Sequence, residues 1–156
     1  MEQHKTAKIK TPPSEQKSRM MSQVRTKGTS PELALRSALH SDGIRFRLHR
    51  KDLPGKPDIV LPKYKFVIFV HGCFWHHHEG CIKSNMPKTN IDFWQNKIAA
   101  NVRRDKTNQG DLTKLGWQTL VVWECDIKKD VCGVVKRVID ELHVNCAEKL
   151  NPSPCP

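Results

Sequence analysis

The chain has 156 residues and a formal net charge of +11, with a pI near 9.6. That length suits one domain with a real core and no need of disulfides. No apolar run approaches the roughly 18 residues of a membrane span, and the charge surplus makes a polyanion, nucleic acid above all, the leading partner.

Residues 1–16 are polar and Lys-rich, with Pro12-Pro13, and are expected to form a disordered basic arm. They lack the apolar stretch of a secretory signal, so a cytoplasmic location is expected. Residues 17–25 suit a short helix ending near Gly28. Arg19, Arg25 and Lys27 in this basic stretch are candidate phosphate contacts, and Met20 and Met21 sit there with no obvious core to join. Ser30-Pro31 reads as N-cap and first position of a helix with Leu35, Ala38 and Leu39 on one face, closed by Gly43.

Residues 44–48 alternate apolar and basic, as a half-buried strand does. Residues 53–57 form a turn. Residues 58–61 and 65–70, joined at Pro62-Lys63, read as a hairpin whose second strand is continuously apolar and hence central in its sheet. A long loop covers 71–89. Asn90 is expected to cap a helix carrying Trp94, Ile98 and Val102, which continues towards Leu115 and stops at Gly116. A strand over 117–123 and an amphipathic helix over 131–142 complete a single domain at 17–150, followed by a loose tail at 151–156.

The long loop carries the chemistry. Cys73, His78 and Cys81 stand in a C-x4-H-x2-C pattern, and thiolate plus imidazole is the donor set a tetrahedral zinc takes. Cys125, just beyond a strand end, is the candidate fourth ligand; four protein ligands make a closed, structural site. On spacing alone His76 and His77 compete with His78. Cys132, Cys146 and Cys155 lack such a context.

Asp58 opens an apolar strand and can sit at a sheet rim, where a carboxylate holds a hard cation such as magnesium. The next strand ends at Val70-His71, near the same rim. The Val70 carbonyl could add a ligand, and His71 could touch a phosphate or protonate a leaving oxygen. An unliganded His76 suits a general base for water. Phe74 and Trp75 either pack around the zinc-held loop or project outward to wedge between base pairs. Trp94 could join them, its period-four partners making a core position equally good.

These stretches resemble the very-short-patch-repair (Vsr) endonucleases, which nick DNA beside a T:G mismatch left by deamination of 5-methylcytosine. The resemblance is carried by residues 19–32, 53–58, 67–78 (VIFVHGCFWHHH), Phe93-Trp94 with Lys97, 101–105, and 116–125. It implies an α/β, restriction-endonuclease-like mixed central sheet flanked by helices. It assigns Asp58 and the Val70 carbonyl to Mg2+, and His76 as general base assisted by His71, with Glu32 and Asp105 near the active centre. It gives Zn2+ to Cys73, His78, Cys81 and Cys125. Phe74, Trp75 and Trp94 would intercalate from the major groove, with Met21 approaching from the other side. The segment from His78 to Cys81 is one residue longer than the family pattern, which leaves the ligand register open by one position.

The expected activity is therefore a mismatch-directed nick in double-stranded DNA by a monomeric, cytoplasmic, nucleoid-associated enzyme, with a MutL-type repair protein and a cytosine methyltransferase as companions. A restriction enzyme cutting both strands of matched DNA and a zinc-stabilised binding module without chemistry are the alternatives.

Overall fold

A computed structural model describes residues 27–150, with side chains placed through residue 144. The expected arm at 1–16, the helix at 17–25 with Arg19, Met21 and Arg25, and the tail at 151–156 lie outside the described residues.

Helix α1 spans Ser30–Ser41. Its N-cap is Thr29, one residue before the expected Ser30, so Pro31 stands in the first turn, where its missing N–H costs nothing. The Glu32 carboxylate accepts from the backbone N–H of Gly28 (2.7 Å) and of Thr29 (3.4 Å), satisfying donors that the helix leaves free. Leu35 and Leu39 are fully buried on the core face. The helix closes as expected at Gly43, whose φ of +78° suits a residue without Cβ.

The sheet has four strands in spatial order β1-β2-β3-β4: Arg47–Leu48, Ile59–Leu61, Phe66–His71 and Gln118–Trp123. The first three are antiparallel neighbours, and β3 and β4 are parallel. The connection from β3 to β4 runs through helix α2, Ile91–Lys114. A short helix α3, Glu124–Lys129, follows β4, and α4 runs Val131–Leu150.

Alternation along β3 divides the core in two. Phe66 and Ile68 face Leu35 and Leu39 of α1 and Val134, Val135 and Val138 of α4. Val67 and Phe69 face Leu53, Val60 and Leu112 of α2. Each such fully buried side chain contributes about 1.5–3 kcal/mol. The result is a mixed sheet with helices on both faces.

Four expectations are corrected. The strand over 44–48 shrinks to two residues; Ile44 and Phe46 pack on the core as the alternation requires, but Leu48 is 42% exposed because the chain is already leaving the sheet edge. Asn90 precedes α2 in the left-handed region and makes no side-chain cap bond. The residues after Trp123 form the unexpected helix α3. The last helix extends to Leu150 rather than 142.

Candidate active site and metal centre

Two strand ends build the candidate cleft. Because β2 and β3 run antiparallel with Ile59 opposite Ile68, Asp58 lies beside the end of β3. There its Oδ2 accepts the Val70 backbone N–H at 2.8 Å. Burial pushes the Asp58 carboxyl above its usual range, against the opposing pull of the Val70 N–H and of His49, Arg36 and His76. The turn before it is pressed against α2: Gly55, at φ +72°, lies so near Asn108 that a Cβ would meet its amide at 2.9 Å.

His71, last in β3, is only 6% exposed. Its ring stacks on that of His76, centroids 3.9 Å apart and planes 15° apart. Burial, then the neighbouring His76, lowers the His71 pKa to about 4, with Asp105 pulling the other way. The ring is therefore neutral at physiological pH, which suits hydrogen bonding or support of His76 better than the charge of an imidazolium.

His76 Nδ1 lies 2.6 Å from Asp105 Oδ2. One turn earlier on α2, Asn101 donates to the Trp75 carbonyl at 3.1 Å, so the helix pins the loop at two consecutive residues. His76, His71 and Asp58 share a cleft of about 520 Å³ whose basic rim includes Lys27, Lys56 and Arg104.

Glu32 reaches the same region from α1. Its carboxylate pairs with Arg36 and lies 3.3 Å from His49 Nε2. No motif or periodicity in the sequence marks His49 or Arg36. His49 stands just past an edge strand at φ +44°. Asn101 was findable, since it falls four residues before Asp105 on a predicted helix.

The parallel register of β3 and β4 builds a second centre. His71 pairs with Trp123, so Cys73 and Cys125, each two residues further on, come out of the sheet side by side. His78 Nδ1 lies 3.6 Å from Cys73 Sγ and 3.2 Å from Cys125 Sγ. One ligand atom from each of Cys73, His78, Cys81 and Cys125 falls within 4.8 Å of all the others.

His78 lies flat on Trp123, centroids 4.2 Å apart, while His77 is exposed and turned away at φ +53°. The Cys73 N–H donates to Glu124 Oε1 at 3.2 Å, tying the loop to α3. Burial pushes the Cys73 thiol up and that of Cys125 up to about 12, whereas the Lys83 backbone lowers Cys81. Two thiols that resist ionising alone, grouped with a third and an imidazole, fit a divalent cation that would supply the missing charge.

Beyond this centre Phe74, Trp75 and Trp94 meet as an aromatic cluster. Trp94 is 5.3 Å from Phe74 and 6.0 Å from Trp75, centroid to centroid. All three are partly exposed, and Phe93 beside them is 55% exposed. Trp94 packs against both loop aromatics and is only partly buried, so it is not a core residue.

The rim of this mixed sheet gathers a carboxylate and two imidazoles into one cleft, as a nuclease requires. The fold matches the catalytic domain of the homing endonuclease I-Bth0305I with a TM-score of 0.50, covering 75% of this chain and 96% of that one at 20% identity. The family model for the DNA mismatch endonuclease Vsr matches residues 10–83. The chain is 56% identical over 108 residues to the type II nicking enzyme V.XorIIP of Xanthomonas oryzae pv. oryzae, covering 69% of this chain and 79% of that protein. It is 44% identical over 112 residues to the DNA mismatch endonuclease Vsr of Escherichia coli, covering 72% and 71% respectively. This protein belongs to the Vsr family.

Proposed function

We propose that this chain nicks one strand of double-stranded DNA beside a T:G mismatch and so initiates very-short-patch repair. The observation that carries the reading is the meeting of Asp58 and the His76–Asp105 pair in one basic-rimmed cleft, with an aromatic cluster on the loop that holds His76. The similarity to nicking enzymes and to a mismatch endonuclease supports it.

Asp58, with the Val70 carbonyl, would hold Mg2+, which when bound neutralises charge on the phosphodiester. Asp105, an acceptor when ionised, keeps the His76 proton on Nδ1 and leaves the Nε2 lone pair free to take a proton from water. His71, neutral and stacked, fixes the plane of the His76 ring. Glu32 lines the same centre through His49.

Zn2+ is the cation assigned to Cys73, His78, Cys81 and Cys125. Zinc–sulfur and zinc–nitrogen bonds of about 2.3 and 2.0 Å on a tetrahedron separate S from N by about 3.5 Å, and the two S–N distances here are 3.6 and 3.2 Å. Phe74, Trp75 and Trp94 would unstack the duplex where a mismatch makes opening cheap. Lys27 and the N-terminal Arg19 and Arg25 would dock on phosphates, with Met21 entering from the opposite groove. Action as a monomer, a MutL-type partner and a cytoplasmic, nucleoid-associated setting belong to the same reading.

The test is a pair of end-labelled duplexes, one with a T:G mismatch and one fully paired, incubated with the zinc-loaded protein and Mg2+. A single-strand product from the mismatched duplex alone is expected. Equal cutting of both, a double-strand break, or activity surviving in Asp58→Ala would refute the proposal; the second outcome is the restriction-enzyme alternative. Binding without any cleavage would identify the non-catalytic module.

A further inference from the structure

Three groups around Asp58 are oriented by one another in a way that singles out His49. Arg36 Nη2 lies 2.8 Å from His49 Nε2. Glu32 Oε1 is the farther neighbour of Nε2, at 3.3 Å, and the nearer guanidinium only donates, so Nε2 is the acceptor and the single proton of the neutral ring sits on Nδ1. That Nδ1 is buried without a hydrogen-bond partner and lies 3.9 Å from Asp58 Oδ1. The other carboxylate oxygen, Oδ2, is already fixed by the Val70 N–H.

The cluster Glu32, His49 and Asp58 has the composition of a cation site. Arg36 argues against that use: it already gives Glu32 a permanent positive partner and occupies the ring nitrogen on that side. What remains open is the Nδ1–H, aimed at the carboxylate oxygen that the Val70 N–H does not hold. At 3.9 Å the two are too far apart for a direct bond, and the buried Nδ1 offers no surface to water, so the N–H acts on the carboxylate through its dipole.

We propose that Arg36 and His49 form a relay that positions Asp58: Arg36 sets the His49 tautomer, and the dipole of the His49 Nδ1–H orients Asp58 Oδ1 in the cleft. His49 is thus a positioning residue, acting through Asp58. The opposite tautomer would turn a lone pair towards the carboxylate and push it away. The proposal rests on the reading of Asp58 as the cation-holding carboxylate.

The direct test is long-range 1H–15N NMR of the histidine rings in the full chain, zinc-loaded and free of other cations, in mildly alkaline buffer. His49, assigned by comparison with His49→Phe, is expected as the neutral Nδ1–H tautomer in the parent and as a mixture in Arg36→Met. An Nε2–H tautomer or an imidazolium in the parent overturns the relay.

The second readout is Mn2+ binding, followed by electron paramagnetic resonance without DNA. His49→Phe is expected to weaken it about 10- to 100-fold, as loss of a group orienting a ligand does. His49→Gln, whose amide can both accept from Arg36 and donate towards Asp58, should recover most of that loss, which general repair of packing would not explain. If Asp58→Ala binds Mn2+ as the parent does, the reading of Asp58 itself fails. If Asp58→Ala loses binding while His49→Phe, folded by circular dichroism, keeps it, the relay alone fails.

Discussion

His76 Nδ1 and Asp105 Oδ2 lie 2.6 Å apart, joining a loop residue to the middle of the longest helix described. The carboxylate has no proton to give when ionised, so the bond fixes the proton on Nδ1 and leaves the Nε2 lone pair open, the base of the proposed mechanism. Asp105→Asn keeps the shape but can donate, which favours the wrong tautomer. We expect the single-turnover nicking rate to fall about 10²- to 10⁴-fold, with duplex affinity close to that of the parent. A rate within a few-fold of the parent would leave Asp105 as a packing residue.

In the proposed mechanism Asp58 ties activity to a stability cost. Burial raises its carboxyl pKa in the fold, so the folded state holds the proton more tightly than the unfolded chain does. Stability from this group is therefore fullest at low pH and is lost as pH rises through the native pKa. Asp58→Asn keeps an acceptor for the Val70 N–H and removes the buried charge. In buffer free of divalent cations we expect it to raise stability at neutral pH by about 0.5–2 kcal/mol, the usual scale when a strained functional group is relieved. The gain should shrink in acid, and nicking should be abolished. Urea melts at neutral and acidic pH check the sign; destabilisation at neutral pH would mean the carboxylate is structural.

The sequence was informative where spacing alone determines geometry. The continuously apolar run over residues 66–70 places the central strand, and the strand ends then bring Asp58, Val70 and His71 to one rim. The pairing of Cys73 with Cys125 was readable because both follow strand ends, though their equal offset from His71 and Trp123 depends on a parallel register that no local pattern encodes. The choice among three consecutive histidines was not readable either. It is made by the loop, which donates the His78 N–H to the Cys73 carbonyl at 2.9 Å and turns His77 outward at φ +53°. His49 and Arg36 were invisible because their meeting with Asp58 joins α1, the sheet edge and the start of β2, three segments with no shared periodicity.

The division of roles within the histidine run gives a prediction about metal content. His78 shares its Nδ1 with two cysteines, whereas His77 is exposed and His76 is bonded to Asp105. Atomic absorption of the purified chain should give one tightly held zinc in the parent and in His77→Ala, and none in Cys73→Ser. Cys73→Ser should also lose more than about 3 kcal/mol of stability, as loss of a metal that closes a long loop does. Magnesium should not restore it. Zinc retained in Cys73→Ser and His78→Ala would dissolve the assignment.

On the proposed function, the aromatic cluster is what would build mismatch selectivity. Phe74 and Trp75 meet edge to face at 5.1 Å, and Trp94 supports both from the start of α2. The Trp75 carbonyl is held by Asn101, so the loop presents its rings from a fixed backbone and little ordering is left to be done on DNA. Trp75→Ala should therefore weaken binding to a T:G duplex by about 1–3 kcal/mol, the scale of one base–aromatic stack. Affinity for paired DNA, dominated by phosphate contacts, should change far less. Trp94→Ala should reproduce part of the loss by releasing the other two rings. Fluorescence anisotropy with both duplexes, at one fixed salt concentration, measures the difference. An equal loss on both duplexes would return the cluster to a purely structural role, since a stack that opens a mismatch must distinguish it from a closed pair.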